Sequence, residues 1–406
     1  MIMVQKFGGS SVATIDKIKN IAKKLKEDYI NGNEIVVVLS AMGNKTDELI
    51  HKAENISCKV FNKISKRELD MLLSIGEQES VALMTMALHE LGLPAISLGA
   101  YGAGIKVSEE FGNARIQNIE TEKIRRALEQ KSIVVVTGFQ GVTQYGDIAT
   151  LGRGGSDTTA VALACALNAE LCEIYTDVDG VYTADPRLVP NAKKLKEIDY
   201  DEMLELASLG AKVLHNRCVE LSKKYNLPLI VRSSLEFDKE GTIIKGNTME
   251  KTIISGLAVD KDVAQISVIG IKDNTGAAFK LFSLIAKKNI IVDVIVQTIG
   301  KGSRKDISFT VKEKDAKETI EILEKNRDFL DFEIINKKTG LLKLSVVGAG
   351  MASKPGVSAS MFEALYDVGV NIHLISTSEI KISVLIDEED EKIASNAVHD
   401  KLIKGI

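Results

Sequence analysis

The sequence predicts an α/β fold, with a mostly parallel sheet covered by helices and followed by two small βαββαβ copies. Three observations carry this. Up to about residue 235, short continuous Val/Ile runs alternate with helical stretches, and such runs suit strands buried on both faces. No Pro/Ser-rich linker interrupts them, so they read as one domain. After the polar turn Phe237–Gly241 the sequence repeats itself.

The strands of the first part are Met3–Phe7, Glu34–Leu39, Ser132–Thr137, Leu171–Tyr175 and the shorter Leu229–Arg232. Between them, Val12, Ile15, Ile18, Ile21, Ala22 and Leu25 keep one apolar face at helical spacing, and Glu77–Leu91 and Asp157–Leu167 read as helices. In the second part Ser267–Ile271 (SVIGI) resembles Ser345–Ala349 (SVVGA), 78 residues on. Asn289–Asp293 lines up with Gly369–His373, 80 residues on. A helix, Ala277–Lys287 or Ser358–Val368, separates the members of each copy, and an alternating strand follows, Asp306–Val311 or Lys381–Ile386.

Composition narrows the function classes. The 406 residues are 45% hydrophobic and 27% charged, as in globular domains, so a disordered or fibrous chain is excluded. Lys+Arg 52 against Asp+Glu 56 leaves a net charge of −4 with no dominant basic stripe, which argues against nucleic acid as a partner. No apolar run reaches the roughly 18–20 residues that span a bilayer. Met1–Gly9 is too short in its apolar part for a signal peptide. Cys58, Cys165, Cys172 and Cys218 form no CxxC, and the five histidines show no ligand spacing, so no metal-site residues and a cytoplasmic location are expected.

Several segments carry chemistry. Lys6-Phe7-Gly8-Gly9-Ser10-Ser11 follows the first strand and opens a helix. Bare glycine N–H groups and a lysine there suit a phosphate, although a tight turn with a surface lysine has the same composition. Gly152-Arg153-Gly154-Gly155-Ser156-Asp157 crowds three glycines, an arginine and a carboxylate at the entry to an apolar helix. A lone capping Asp157 does not need three glycines, so a second anion cradle is favoured. Leu39–Gly43 ends the second strand, with Thr46 close behind, and Gly76-Glu77 opens a helix; alone, each reads as an ordinary turn or cap. Thr176–Arg187 (TDVDGVYTADPR) lacks calcium-loop spacing and suits a polar nucleotide loop. GAKVLH, residues 210–215, adds a lysine that could equally be a solvated helix end. A Walker loop and the protein-kinase motifs are absent. Val347-Gly348-Ala349-Gly350 begins like a dinucleotide fingerprint but has Ser353 at the third glycine position, so it reads as a turn.

Taken in order, KFGGSS, LSAMGNKTD, GE, GRGGSD, TDVDGVYTADPR and GAKVLH resemble the aspartate kinases of the amino-acid-kinase family, which carry two C-terminal ACT domains. The resemblance covers essentially the whole chain. It implies an amino-acid-kinase sandwich at 1–247, a first ACT domain at 263–335 inserted into a second made of 248–262 plus 336–406, and Lys251–Val259 as the second domain's leading strand. It implies phosphoryl transfer from ATP, with Mg²⁺, to the β-carboxylate of L-aspartate. Lys6 would contact the transferring group and Asp157 would orient that lysine. Thr46, Glu77, Arg153, Gly154 and Ser156 would hold aspartate. Gly8, Gly9, Ser40, Thr176, Asp177, Tyr182, Arg187, Lys212 and Val213 would join Lys6 around ATP.

In the ACT part, Asp273, Asn274, Gly276, Ala277, Asp293 and Gln297 are the effector positions that the resemblance implies; by residue type alone, each can simply shape a turn. Lysine is the first-choice effector, with threonine, or both together, as the alternative. A homodimer or dimer of dimers through the ACT domains is expected. Ser10 stands where many relatives have threonine, and Asn216-Arg217-Cys218 follows GAKVLH where some have proline. No dehydrogenase segment follows, so the expectation is a monofunctional kinase. Other amino-acid kinases share the fold without this motif set, and a degenerate sensor would not keep these charged residues.

Overall fold

The computed structural model describes residues 1–56, 65–210, 213–246, 253–299 and 304–403. They fall into two compact units, one built from residues 1–182, 194–208 and 213–246, the other from 183–193, 209–210 and 253 onward.

The strands of the first unit are β1 (Ile2–Phe7), β2 (Glu34–Leu39), β3 (Ala95–Leu98), β4 (Ile105–Val107), β5 (Ile116–Ile119), β6 (Ile133–Thr137), β7 (Gln140–Val142), β8 (Ile148–Thr150), β9 (Leu171–Thr176), β10 (Glu197–Ile198), β11 (Leu229–Ser233) and β12 (Thr242–Ile244). Among the described residues, eight of them form one sheet in the order β10-β12-β11-β9-β1-β2-β6-β3, parallel except between β11 and β12. The five strands read from Val/Ile runs all lie in it, as the adjacent block β11-β9-β1-β2-β6. A four-stranded sheet, β5-β4-β7-β8, flanks it; its strands are too short to leave a periodic signal.

Alternation explains the continuous apolar runs. Phe7, Ile35, Val37, Leu39, Ile133 and Val135 share one core with the helices Ile15–Ile30 and Ile75–Glu90. Val36, Val38, Val134 and Val136 are also fully buried and point to the other face, where the helix Gly155–Leu167 packs on β1 and β2. The first helix starts at Ile15 rather than Val12 because Thr14 caps it, accepting from the Lys17 N–H.

The second unit contains β13 (Gly256–Lys272), β14 (Val292–Ile299), β15 (Arg304–Val311), β16 (Ile334–Val347), β17 (Leu374–Thr377) and β18 (Lys381–Asp387) in one sheet, ordered β14-β15-β13-β16-β18-β17. The two copies are joined through shared strands. The first half of β13 pairs with the second half of β16 (Gly256 opposite Val347), and its second half pairs with the first half of β16 (Ile269 opposite Ile334) and with β15. Each long strand thus serves both copies. The expected leading strand Lys251–Val259 begins at Gly256, its first two residues lying outside the described ones.

Each copy has its own helix-covered core, one around Ile266, Phe309 and Leu323, the other around Leu344, Met361 and Val384. The second strand of each copy starts later than the repeat suggests. Asn289 (φ 58°) and Gly369 (φ 72°) take left-handed conformations that turn the chain out of the preceding helix first. Residues 183–193 lie inside the sequence range of the first domain yet pack with the second unit, because Ala184 and Val189 bury their side chains in its core.

Phe309 is fully buried and meets Phe282 edge to face, with ring centroids 5.4 Å apart. Phe309→Ala is expected to destabilise the second unit by about 3–5 kcal/mol, measured by urea unfolding.

Candidate functional site

Parallel strands present ligands at their carboxyl ends, and here the ends of β9, β1, β2 and β6 lie side by side. Lys6 is the penultimate residue of β1, Ser40 follows β2, Gly138 follows β6 and Thr176 ends β9.

Three glycines let these ends close up. A Cβ on Gly9 would stand 2.8 Å from the Ala41 carbonyl oxygen, and the Gly43 N–H donates to the Gly9 carbonyl at 3.0 Å. A Cβ on Gly76 would stand 2.7 Å from the Ala41 Cβ. On Gly138 it would meet the Ser156 hydroxyl at 2.6 Å. Such separations are closer than van der Waals contact allows, so each site excludes even alanine. The KFGG loop, the Ser40–Gly43 loop, the Gly76-Glu77 helix start and Ser156 are therefore packed against one another. Ser40 donates its N–H to the Phe7 carbonyl at 3.2 Å, and Gly8 donates to Tyr175 at 3.3 Å.

Charge is arranged in the same place. The Lys6 ammonium pairs with Asp157 Oδ1 at 2.5 Å, both side chains nearly buried. Glu77 is only 3% exposed; its Oε1 accepts from the Ala41 N–H at 3.1 Å, while Oε2 is buried without a hydrogen-bond partner among the described residues. Burial pushes its carboxyl up to about 7 against the opposing hydrogen bond. Thr46 sits half-buried in the first turn of the helix Lys45–Ile56, which is tied to the Glu77 helix by the ion pair of Lys45 with Glu79 at 2.6 Å. Arg153 is exposed and makes no ion pair among the described residues. Gly154 (φ 68°) is the turn before the helix Gly155–Leu167, and a Cβ there would overlap the His215 ring.

The nucleotide-loop residues divide. Thr176 donates to Asp177 at 3.0 Å, and Tyr182 donates to Asp179 at 2.9 Å, with Lys194 closing on the same carboxylate at 3.2 Å. Arg187 lies in the segment that packs with the second unit, where its guanidinium pairs with Asp185 at 2.7 Å. Lys212 is outside the described residues; Val213 is described and half-buried. Sequence reasoning missed Gly138, which has no motif around it, and Ser234, whose hydroxyl accepts from Ser11 at 2.7 Å.

In the second unit, Asp273 pairs with Lys305 at 2.8 Å and Asn274 accepts from the Ala277 N–H at 3.2 Å. Gly276 (φ 90°) precedes the helix Ala277–Ala286, as Gly356 (φ 94°) precedes Val357–Asp367 in the other copy. Gln297 is exposed on β14. Asp293, also on β14, is paired with Lys343 of β16, whose ammonium is buried and lies 3.8 Å from Asp260.

Comparison with known proteins fits this arrangement. The amino acid kinase family matches residues 1–233, and the ACT domain matches residues 266–326 and 344–402. The aspartokinase of Geobacillus stearothermophilus is 50% identical over 401 residues, covering 98% of this chain and 96% of that protein. Escherichia coli aspartokinase III, solved with aspartate and ADP in its R-state, is 26% identical with a TM-score of 0.82, covering 99% of this chain and all of that one. The same enzyme with lysine and aspartate in its T-state gives a TM-score of 0.79, again at 26% identity and 99% coverage of both chains. Two motif-bearing halves, matched end to end by relatives of one kind, leave one assignment: the chain is a kinase and belongs to the aspartokinases of the amino acid kinase family.

Proposed function

We propose that this kinase transfers the γ-phosphoryl group of ATP to the β-carboxylate of L-aspartate, giving ADP and 4-phospho-L-aspartate. That would be the first step toward lysine, threonine and methionine. The observation that carries the substrate is Glu77. A buried carboxylate with one oxygen unpartnered is costly unless a cation completes it, and an α-ammonium is such a cation. Arg153, with no ion pair of its own, suits the α-carboxylate as a bidentate partner, and Thr46, Gly154 and Ser156 complete that end. The β-carboxylate is then left to attack.

A carboxylate nucleophile is already ionised at neutral pH, so no general base is needed. Catalysis is positioning plus neutralisation of charge spreading over the transferring group. Lys6 supplies a cation held in place by Asp157. The Gly9 N–H would line the turn beside it, and Lys212 is expected to add a second cation. Mg²⁺ would arrive with ATP and supply Lewis-acid neutralisation of the phosphates. Ser40, Thr176 and Asp177 at the strand ends, with Tyr182 and Val213 farther along, would be the remaining ATP positions, and Arg187 is proposed with them on resemblance alone. A cytoplasmic enzyme, assembled as a dimer or dimer of dimers through its ACT domains, completes the reading. The solved E. coli relative that holds lysine supports lysine as effector, with threonine the alternative. Asp293 would take the effector's ammonium, and Asp273, Asn274, Gly276, Ala277 and Gln297 would line the rest. Lys343 already engages Asp293, so the effector would have to displace it.

The direct test is aspartate- and ATP-dependent hydroxamate formation, with the acyl phosphate trapped by hydroxylamine; no product with aspartate would overturn the reading. Lys6→Ala is expected to lower kcat at least about 100-fold with the KM for aspartate within about threefold. For Glu77, the folded value of about 7 lies above the ordinary 4.5. Between those values the folded protein holds a proton that the unfolded chain has lost. Its contribution to stability therefore falls as pH rises from about 4.5 to about 7, and is flat above. Bound ammonium favours the anion, so the KM for aspartate should drop as pH rises through about 7. Glu77→Gln should flatten that limb of the pH profile. Lys343→Met should lower the effector concentration for half-inhibition about 3- to 10-fold, read from inhibition curves, because the internal competitor for Asp293 is gone.

A further inference from the structure

Arg217 is a semi-buried cation with no ion-pair partner among the described residues. It opens the helix Asn216–Tyr225, and its guanidinium donates to two backbone carbonyls instead: Nη1 to Leu151 at 2.6 Å and Nη2 to Ala114 at 2.9 Å. Leu151 immediately precedes Gly152-Arg153-Gly154, and Ala114 belongs to the neighbouring loop. The same two segments are also tied together by Asp70 on the helix Lys66–Leu73, which is 1% exposed. Its Oδ2 accepts from the N–H groups of Gly112 and Thr150, both at 2.8 Å, and its Oδ1 accepts from the Thr150 hydroxyl at 2.8 Å. Between the clamps the loops touch directly. The Ala114 N–H donates to the Thr150 carbonyl at 2.9 Å, and a Cβ on Gly152 would stand 3.0 Å from the Gly112 carbonyl oxygen.

We propose that Arg217 and Asp70 are positioning residues for aspartate: by each binding both 112–114 and 150–152, they fix where Arg153 presents its guanidinium. This rests on the reading of Arg153 as the α-carboxylate partner. The chemistry of the clamp suits the task. A guanidinium presents several donors in a rigid plane, so it spans two carbonyls at a set separation, which a lysine ammonium on a flexible stem cannot do. Asp70 takes three donors at once through its two carboxylate oxygens, and removing the carboxyl group altogether leaves the Gly112 and Thr150 N–H groups without that acceptor. Arg153 itself lies on the two-glycine turn Gly152-Gly154, both with φ near 70°, a segment with no internal reason to hold one conformation. Its orientation therefore comes from the anchored residue before it, Leu151, and from Gly155, which donates to the Gly152 carbonyl at 3.0 Å.

The test is steady-state kinetics on the full chain, varying aspartate and ATP separately, with thermal unfolding recorded for each variant. Arg217→Ala should raise the KM for aspartate about tenfold, leaving the KM for ATP and kcat within about twofold. Guanidinium ion added to Arg217→Ala should recover most of the aspartate KM. Arg217→Lys, which keeps the charge but reaches one carbonyl, should fall between. Asp70→Ala, which removes the acceptor altogether, should shift the same parameter in the same direction. A folded Arg217→Ala with wild-type KM for aspartate would overturn the proposal. So would a loss shared equally by kcat and both KM values without guanidinium rescue, which is what a purely structural role gives. If Arg217→Ala does not fold, Arg217→Lys with a wild-type aspartate KM overturns it. Arg153→Ala separates the two readings. If it leaves the KM for aspartate unchanged, the assignment of Arg153 fails; if it raises that KM while Arg217→Ala does not, only the clamp fails.

Discussion

The first unit depends on how closely backbone can approach Ala41. Its carbonyl, its Cβ and its N–H each face a different segment: Gly9 of the first loop, Gly76 of the helix start, and the Glu77 carboxylate. Two of those approaches are closer than a methyl group permits, so the residues that meet Ala41 must be glycines. The consequence is a site assembled from backbone. Loops far apart in sequence are held within hydrogen-bond distance by parallel strands whose ends are only one interstrand spacing apart. A rigid scaffold of this kind fixes the donors before any ligand arrives, which is the condition for electrostatic stabilisation of a transferring group.

Much of this was legible because the same physics writes both sequence and structure. Strands buried on both faces must be Val/Ile-rich, so β1, β2, β6, β9 and β11 announced themselves. Loops that cradle anions must be glycine-rich and end in a helix, so KFGG and GRGGSD stood out. β10, β12 and the strands of the four-stranded sheet, two to four residues each, are too short to carry a pattern. Gly138 is a single glycine whose reason, the Ser156 side chain above it, lies 18 residues on in sequence. Asp70 and Arg217 are isolated charges in ordinary helices. Their meaning comes from loops 42 and 66 residues away, and no spacing rule encodes that.

The repeat shows a different limit. Its two copies were visible as matching segments, and a strand ahead of the first copy was expected to close the second. What the pattern did not convey is that β13 and β16 run through both copies without a break. A strand's period of two does not mark where one copy ends, because both halves bury their alternate residues in equivalent cores. Sharing the strands means that a shift in register in one copy would move every side chain of the other to the wrong face. The pair is therefore one mechanical object.

The two units place carboxylates in opposite electrostatic states. Glu77 is buried with one oxygen unpartnered, and burial drives it toward the neutral acid. Asp293 is satisfied, because the chain supplies its own ammonium from Lys343. A carboxylate whose anion is disfavoured by burial is brought back toward the ionised form by an incoming cation, with the proton released as the pair forms. One already paired gains only the difference between two cations, and Lys343, buried between Asp260 and Asp293, keeps one carboxylate when it loses the other. The first arrangement makes pairing with a cation depend on pH, whereas in the second an incoming cation exchanges against an internal one and the balance is close.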